Sequence, residues 1–240
     1  MSFYFVIHSR GQGPEGYKLL AQELERRGHR VVVPALRVDR TDEGLAWHTD
    51  TLVEAREQCG FQPQDVIIVG HSAGGMYLPL VAERWPPRRM VFLAAVIPRP
   101  GVSIMDQFRS DASMMNPAWI GKNPMDDEVA LEFTLHDCPP ERLNWALSTR
   151  VLFYAERGMQ EPCPLKSWPS VPASYISCAD DRTITPAWQR KAAREFLGVE
   201  PLELPGGHCP NVSRPQALAD VLESIGLIVD PPPSDQSCDR

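Results

Sequence analysis

The five residues Gly70-His71-Ser72-Ala73-Gly74 constrain this chain more than any other segment. They follow the apolar run Asp65-Val66-Ile67-Ile68-Val69 and precede Gly75 and a helix-like stretch over residues 76–85. A β-branched run that ends in Gly-x-Ser-x-Gly and opens into a helix turns so tightly that only small residues fit two before and two after the serine. The turn pushes the serine hydroxyl out at the top of a sheet. The N–H of Ala73, at the start of the helix, then lies where an oxyanion would develop. A bare Gly-x-Ser-x-Gly arises by chance in roughly one chain in ten of this length. The strand before it and the helix after it therefore carry the argument.

Around this turn the chain alternates. Strand-like runs are expected at residues 2–8, 30–33, 65–69 and 89–95, with helical segments at 15–27, 43–59 and 76–85. Tyr17, Leu20, Ala21 and Leu24 fall on one face of the first helix, and Gly28 and Gly60 close the first two. The alternation breaks over 98–169, a stretch rich in proline that holds five methionines, and reads there as helices and loops inserted between strands. It resumes with a strand at 173–178, a helix at 186–197, a strand at 200–204 and a helix at 215–225. The pattern predicts an α/β fold: a mostly parallel, six-stranded, doubly wound sheet covered on both faces. Residues 1–98 and 170–229 form its core, 99–169 an insertion, and the Pro/Asp/Ser-rich segment 230–240 a disordered tail.

Composition narrows the function classes. The chain has 240 residues, 43% hydrophobic and 23% charged, enough for one full core. A formal net charge of −7 supplies no basic footprint for nucleic acid. No apolar run reaches the length of a membrane span, and Met1-Ser2-Phe3-Tyr4-Phe5 begins as a strand rather than as a basic leader. A cytoplasmic protein that engages neither nucleic acid nor membrane is expected. The six cysteines (Cys59, Cys138, Cys163, Cys178, Cys209, Cys238) include no Cys-x-x-Cys pair and read as reduced thiols. No spaced His/Asp/Glu cluster suggests a metal, and no cofactor is expected.

A serine hydroxyl needs a histidine base, and the histidine needs a carboxylate to hold its tautomer. In a doubly wound sheet these groups come from loops at the carboxyl ends of the strands. Two later loops qualify. Ser177-Cys178-Ala179-Asp180-Asp181-Arg182 follows the fifth strand, and Pro205-Gly206-Gly207-His208-Cys209-Pro210 follows the sixth. Asp180 and Asp181 compete for the role of acid. His29, His48 and His136 are given no role, and His71 is read as packing beside Ser72.

At these residues the chain resembles the α/β-hydrolase superfamily, and within it the compact esterase and hydroxynitrile lyase group that includes plant methyl-ester esterases. The resemblance runs over about residues 3–227. It rests on Val6-Ile7-His8, Tyr17-Lys18-Leu19-Leu20, Gly28-His29-Arg30-Val31, Gly70 to Met76, Val91-Phe92-Leu93-Ala94-Ala95 with Pro98, and His136-Asp137-Cys138-Pro139-Pro140-Glu141. Tyr175-Ile176-Ser177-Cys178 with Asp181, Pro186 and Gln189, then Gly206-Gly207-His208 and Pro215, complete it. Ser, Asp, His is the chain order of that superfamily. The resemblance implies a catalytic set of Ser72, Asp181 and His208, since the group's acid ends the pattern Tyr-Ile-x-Cys-x-x-Asp. It also implies an oxyanion hole made by the N–H groups of Ala73 and Arg10, and a cap over residues 99–169.

Two departures bear on chemistry. The family usually carries His-Gly after the first strand, whereas this chain has His8-Ser9-Arg10-Gly11, which puts the path of the oxyanion loop in question. Arg10 is expected to face solvent. The lyases of the group carry a lysine directly after the catalytic histidine, and this chain has Cys209 there. The expected activity is therefore a serine carboxyl-ester hydrolase for a small to medium apolar substrate. Met105, Phe108, Met114, Met115, Trp119, Phe133, Trp145 and Phe153 are the candidate pocket walls. A hydroxynitrile lyase-like activity and a non-catalytic small-ligand receptor are the alternatives. The oligomeric state is open, a homodimer included.

Overall fold

The computed structural model describes residues 1–36, 43–152 and 156–228. The tail expected at 230–240 and the candidate wall residue Phe153 lie outside these described residues. Six strands form one sheet: β1 (Phe3–Ile7), β2 (Arg30–Val32), β3 (Val66–His71), β4 (Arg89–Leu93), β5 (Ala173–Cys178) and β6 (Leu202–Leu204). Their spatial order is β2-β1-β3-β4-β5-β6, and every neighbouring pair is parallel. Parallel neighbours require crossovers. Helices α1 (Lys18–Arg26), α2 (Leu45–Gln58) and α3 (Leu78–Arg84) supply the early ones. Among the described residues the long excursion between β4 and β5 holds the short helices α4 (Ile104–Ser110), α5 (Asp127–Val129), which runs on into a π-helical turn (Ala130–Thr134), α6 (Pro140–Ser148) and α7 (Glu156–Gln160). Helix α8 (Pro186–Leu197) joins β5 to β6, and α9 (Pro210–Ser213) and α10 (Pro215–Gly226) follow.

The period of two along each strand sorts side chains to two cores. Tyr4, Val6, Ile67, Val69, Val91 and Leu93 point to one face, where Leu20 and Leu24 of α1 and Leu218, Leu222 and Ile225 of α10 cover them. Phe5, Ile7, Ile68, Met90 and Phe92 point to the other, under Leu45 and Leu52 of α2, Leu78 and Val81 of α3, and Trp188 and Ala192 of α8. Each of these large side chains is buried, and each such burial contributes about 1.5–3 kcal/mol. The sheet is thus apolar on both faces, as its continuous hydrophobic strands require.

Most boundaries shift by one to three residues from the sequence expectation, and two of the shifts have a clear cause. The helix expected over 76–85 already turns at Ser72, as a 3-10 segment (Ser72–Tyr77) ahead of α3, because the elbow bends the chain at the serine itself. Strand β6 covers only Leu202–Leu204, since Pro201 precedes it with no N–H to offer a ladder. Helix α8 starts and stops where expected: Thr185 Oγ1 accepts from the Trp188 N–H, Pro186 opens the first turn and Gly198 closes it. Among the described residues no helix is long and apolar enough to cross a membrane.

The topology also selects a place for a site. From β1 the chain runs to β2 on one side, while β3 pairs on the other side, with Ile7 opposite Gly70. Crevices in open α/β sheets form at such a reversal, outside the carboxyl ends of the strands. Ser9 follows β1 and Ser72 follows β3 at that point.

Candidate active site

Ser72 sits in the left-handed region, with φ +56°, one of two described non-glycine residues with positive φ. Such a conformation costs on the order of 1–3 kcal/mol and persists only where the surroundings impose it. They do so by close approach. A Cβ on Gly74 would meet the carbonyl oxygens of Ile7 and His8 at 2.5 and 2.9 Å, and one on Gly70 would meet the Gly74 carbonyl at 2.9 Å. The carbonyl of Ser72 accepts from the Val96 N–H at 3.2 Å. Ala73 follows in the first turn, where amide N–H groups have no acceptor within the helix.

The two later loops meet behind this serine. His208 Nδ1 lies 2.7 Å from Asp181 Oδ2 and 2.8 Å from Thr183 Oγ1. Asp181 is 5% exposed and is held on every side: its Oδ1 accepts from the Thr183 N–H and hydroxyl, and its Oδ2 from Gln189 Nε2. Asp180 has a different task. It brackets the histidine loop, its N–H donating to the Gly206 carbonyl and its carboxylate accepting from the Gly206 N–H at 3.2 Å. Asp137, from the excursion, accepts from the Gly207 N–H at 2.9 Å and so also grips the loop. With Nδ1 engaged by Asp181, Nε2 is the nitrogen left for Ser72. Among the described residues no hydrogen bond yet joins Ser72 Oγ to the ring, though both border one cavity. Such bonds commonly close only around a bound substrate.

The loop after β1 completes this end of the cavity. His8 is buried, its Nδ1 donating to the Ser9 carbonyl at 2.9 Å and its Nε2 accepting from the Leu36 N–H at 3.0 Å. Burial pushes its pKa down to about 4, so the ring is neutral at ordinary pH. Ser9 is not among the residues with positive φ. The loop therefore does not need the glycine that the family usually places there. Arg10 does not simply face solvent, contrary to expectation: its guanidinium pairs with Glu156 of α7, and both border the cavity.

The cavity measures about 450 Å³. Ser9, Arg10, Ser72, Ala73 and His208 form its polar end, and Met76, Met105, Phe108, Met115, Trp119, Leu135, Met159 and Ile184 form apolar walls. Four candidate wall residues from the sequence are therefore in place. Met114, Phe133 and Trp145 are not. Met114 is fully buried in the sheet-side core, Phe133 packs behind Trp119 at 5.4 Å between ring centroids, and Trp145 joins a small core with Leu135 and Val212. Met76 and Met159 were not foreseen as walls, the first because it lies on the elbow helix and the second because nothing local marks α7. Thr183 carries only a weak local signal: an Asp at a strand end favours a turn in which its carboxylate accepts from the N–H two residues on, which here is that of Thr183. Cys209 borders the cavity beside His208, and burial raises its thiol pKa. Cys59, Cys138, Cys163, Cys178 and Cys209 are unbridged, and Cys238 lies outside the described residues. Among the described residues no group of three or more His, Cys, Asp or Glu is placed to hold a metal ion.

With this geometry in hand, comparison with known proteins is specific. The profile of the family described as "Alpha/beta hydrolase family" matches residues 4–221. A probable hydrolase, R7, from Phoma sp. is 27% identical over 88% of this chain and 87% of its own length. Methylesterase 8 from Arabidopsis thaliana is 28% identical over 92% of this chain and 88% of its own. Among solved structures, a pyrethroid hydrolase from Sphingobium faniae JZ-2 superposes with a TM-score of 0.75 at 23% identity, covering 93% of this chain and 96% of that one. That likeness concerns the fold.

Proposed function

This chain belongs to the alpha/beta hydrolase family, and from that premise we propose that it is a serine carboxyl-ester hydrolase for small to medium apolar esters. The observation that carries the reading is the buried 2.7 Å contact between Asp181 and His208, beside the cavity onto which Ser72 opens. Ser72 Oγ attacks the ester carbonyl carbon while His208 Nε2 takes its proton. Asp181 keeps Nδ1 protonated and stabilises the imidazolium. The N–H groups of Ala73 and Arg10 receive the oxyanion, each such donor being worth about 2.7–4 kcal/mol. Collapse of the intermediate expels the alcohol, which takes the proton from His208. Water then attacks the acyl-enzyme, gives its proton to His208, and the acid leaves as Ser72 recovers it.

Residues 99–169 act as a cap that shapes the apolar walls, with 1–98 and 170–229 as the core. The methionine-rich lining suits substrates of varied apolar shape. Relatives named hydrolase and methylesterase support ester hydrolysis. Cys209, in place of a cation after the histidine, favours hydrolysis over cyanohydrin cleavage. The test is turnover of an aryl ester by Ser72→Ala, with a drop in kcat on the order of 10⁶-fold expected. A near-wild-type rate in that variant overturns the proposal.

A further inference from the structure

Behind the polar end of the cavity, buried side chains that the proposed reaction does not itself consume form an unbroken line. The Ser9 N–H donates to Tyr17 Oη at 2.9 Å, Tyr17 Oη lies 2.6 Å from His71 Nδ1, and His71 Nε2 lies 2.8 Å from the carbonyl oxygen of His208. Both Tyr17 and His71 are 0% exposed. What each end is able to do fixes the direction of every bond. A carbonyl only accepts, so His71 Nε2 carries the hydrogen. In the neutral ring Nδ1 is then the acceptor, so the Tyr17 hydroxyl donates to it and offers its own lone pair to the Ser9 amide. Desolvation keeps the line in this state. It lowers the His71 pKa to about 3, with His208 adding to the shift, and it raises Tyr17 above its ordinary range.

The line touches all three loops that the reaction needs. Ser9 opens the loop whose next N–H belongs to Arg10. His71 immediately precedes Ser72. The accepted carbonyl belongs to His208 itself. Bonds at 2.6–2.9 Å between groups shielded from water make a stiff link. The geometry points to Tyr17 and His71 as positioning residues: a buried strut that sets the spacing of the oxyanion loop, the elbow and the histidine loop. The inference rests on the reading of Ser72 and His208 as nucleophile and base. Neither strut residue touches the reacting atoms. Its loss acts on geometry, and a misplacement of about 1 Å in such a site costs about 10²-fold in rate.

The test uses the full-length chain with two probes: the rate at which a fluorophosphonate labels Ser72, and kcat and KM on an aryl ester. Tyr17→Phe and His71→Leu should each lower the labelling rate and kcat by about 10²-fold, with KM nearly unchanged. Because the strut acts as one unit, the double variant should lose no more than the worse single one. Independent packing losses would multiply instead. His71→Gln, which keeps an acceptor and a donor, should retain more activity than His71→Leu. If Tyr17→Phe does not fold, judged by its thermal midpoint, the His71→Gln and His71→Leu pair decides alone. Multiplying losses, or equal rates for Gln and Leu, overturn the strut. So does wild-type labelling in Tyr17→Phe. Failure of the wild type to label at Ser72 overturns the underlying reading and the strut with it.

Discussion

Two buried neutral histidines beside the site make stability fall steeply in mild acid. His8 and His71 are 1% and 0% exposed, and burial lowers their pKa values from 6.5 to about 4 and about 3. In the unfolded chain both rings bind a proton near 6.5, so between the folded and unfolded values the unfolded state holds more protons. Stability therefore rises with pH through this window. It is fully present above about pH 6.5 and is lost as pH falls toward the folded values. From pH 7 to pH 5 each ring forfeits about 1.9 kcal/mol, so the pair forfeits roughly 4 kcal/mol. That is a large share of a typical 5–15 kcal/mol. His48 shifts downward by burial as well and acts in the same sense. The carboxylates that partners hold low, among them Asp106, Asp111, Glu200 and Glu223, act mainly below this window. Urea unfolding followed by tryptophan fluorescence at pH 7, 6 and 5 measures the effect. With m of about 3 kcal/mol/M, the midpoint should drop by about 1.3 M. His71→Gln should roughly halve that drop relative to its own value at pH 7. An unchanged midpoint between pH 7 and pH 5, or an equal drop in the variant, refutes the reasoning.

Asp181→Asn should lower kcat by about 10⁴-fold by admitting the wrong tautomer of His208, whereas Asp180→Asn, altering only the loop bracket, should keep kcat within about tenfold; steady-state kinetics on one ester separates the two, and equal losses contradict the assignment. Gly74→Ala places a methyl 2.5 Å from the Ile7 carbonyl and should cost about 1–3 kcal/mol by overpacking, read as a lower unfolding midpoint; an unshifted midpoint means the elbow has more room than the structure shows.

What was legible in the sequence and what was not divides along physical lines. The elbow was legible because close packing around Gly70 and Gly74 admits only small residues, and small residues at fixed spacing are a local pattern. Helix α8 was legible to the residue because Thr185, Pro186 and Gly198 each act on the chain within one turn of themselves. Spacing does not distinguish Asp181 from Asp180; the family resemblance alone points to Asp181, the one that lies 2.7 Å from His208. The ties that cross the fold left no local trace. Tyr17 meets His71 from 54 positions away, and Arg10 meets Glu156 from 146 away. Each of these residues has an ordinary local setting, so His71 read as packing and Arg10 as solvent-facing. Met114 and Met115 show the same limit at close range. They are adjacent in an irregular segment with no period to assign faces, and a bridge between Met115 and Ile184 turns one to the cavity and the other to the core.

The two proposed oxyanion donors share a construction that explains how Ser9 takes the place of glycine. The N–H of Ala73 belongs to the peptide whose carbonyl is that of Ser72, and the N–H of Arg10 to the peptide whose carbonyl is that of Ser9. In a trans peptide the two groups point opposite ways, so fixing the carbonyl aims the N–H. Among the described residues there are no cis bonds. Val96, just beyond β4, holds the first carbonyl, and buried His8, just beyond β1, holds the second at 2.9 Å. Both N–H groups are thus fixed from behind by groups anchored at the ends of core strands, and on the proposed reading such preorganisation is what an oxyanion hole needs. The aim itself comes from the Ser9 backbone, whose carbonyl meets His8 and whose N–H meets Tyr17, and the Ser9 side chain adds a hydrogen bond to Tyr17. What the loop requires is a backbone carbonyl within reach of His8 and an amide within reach of Tyr17, and Ser9 provides both without a positive φ. Ser9 thus meets buried His8 and Tyr17 through its backbone in a conformation that does not call for glycine.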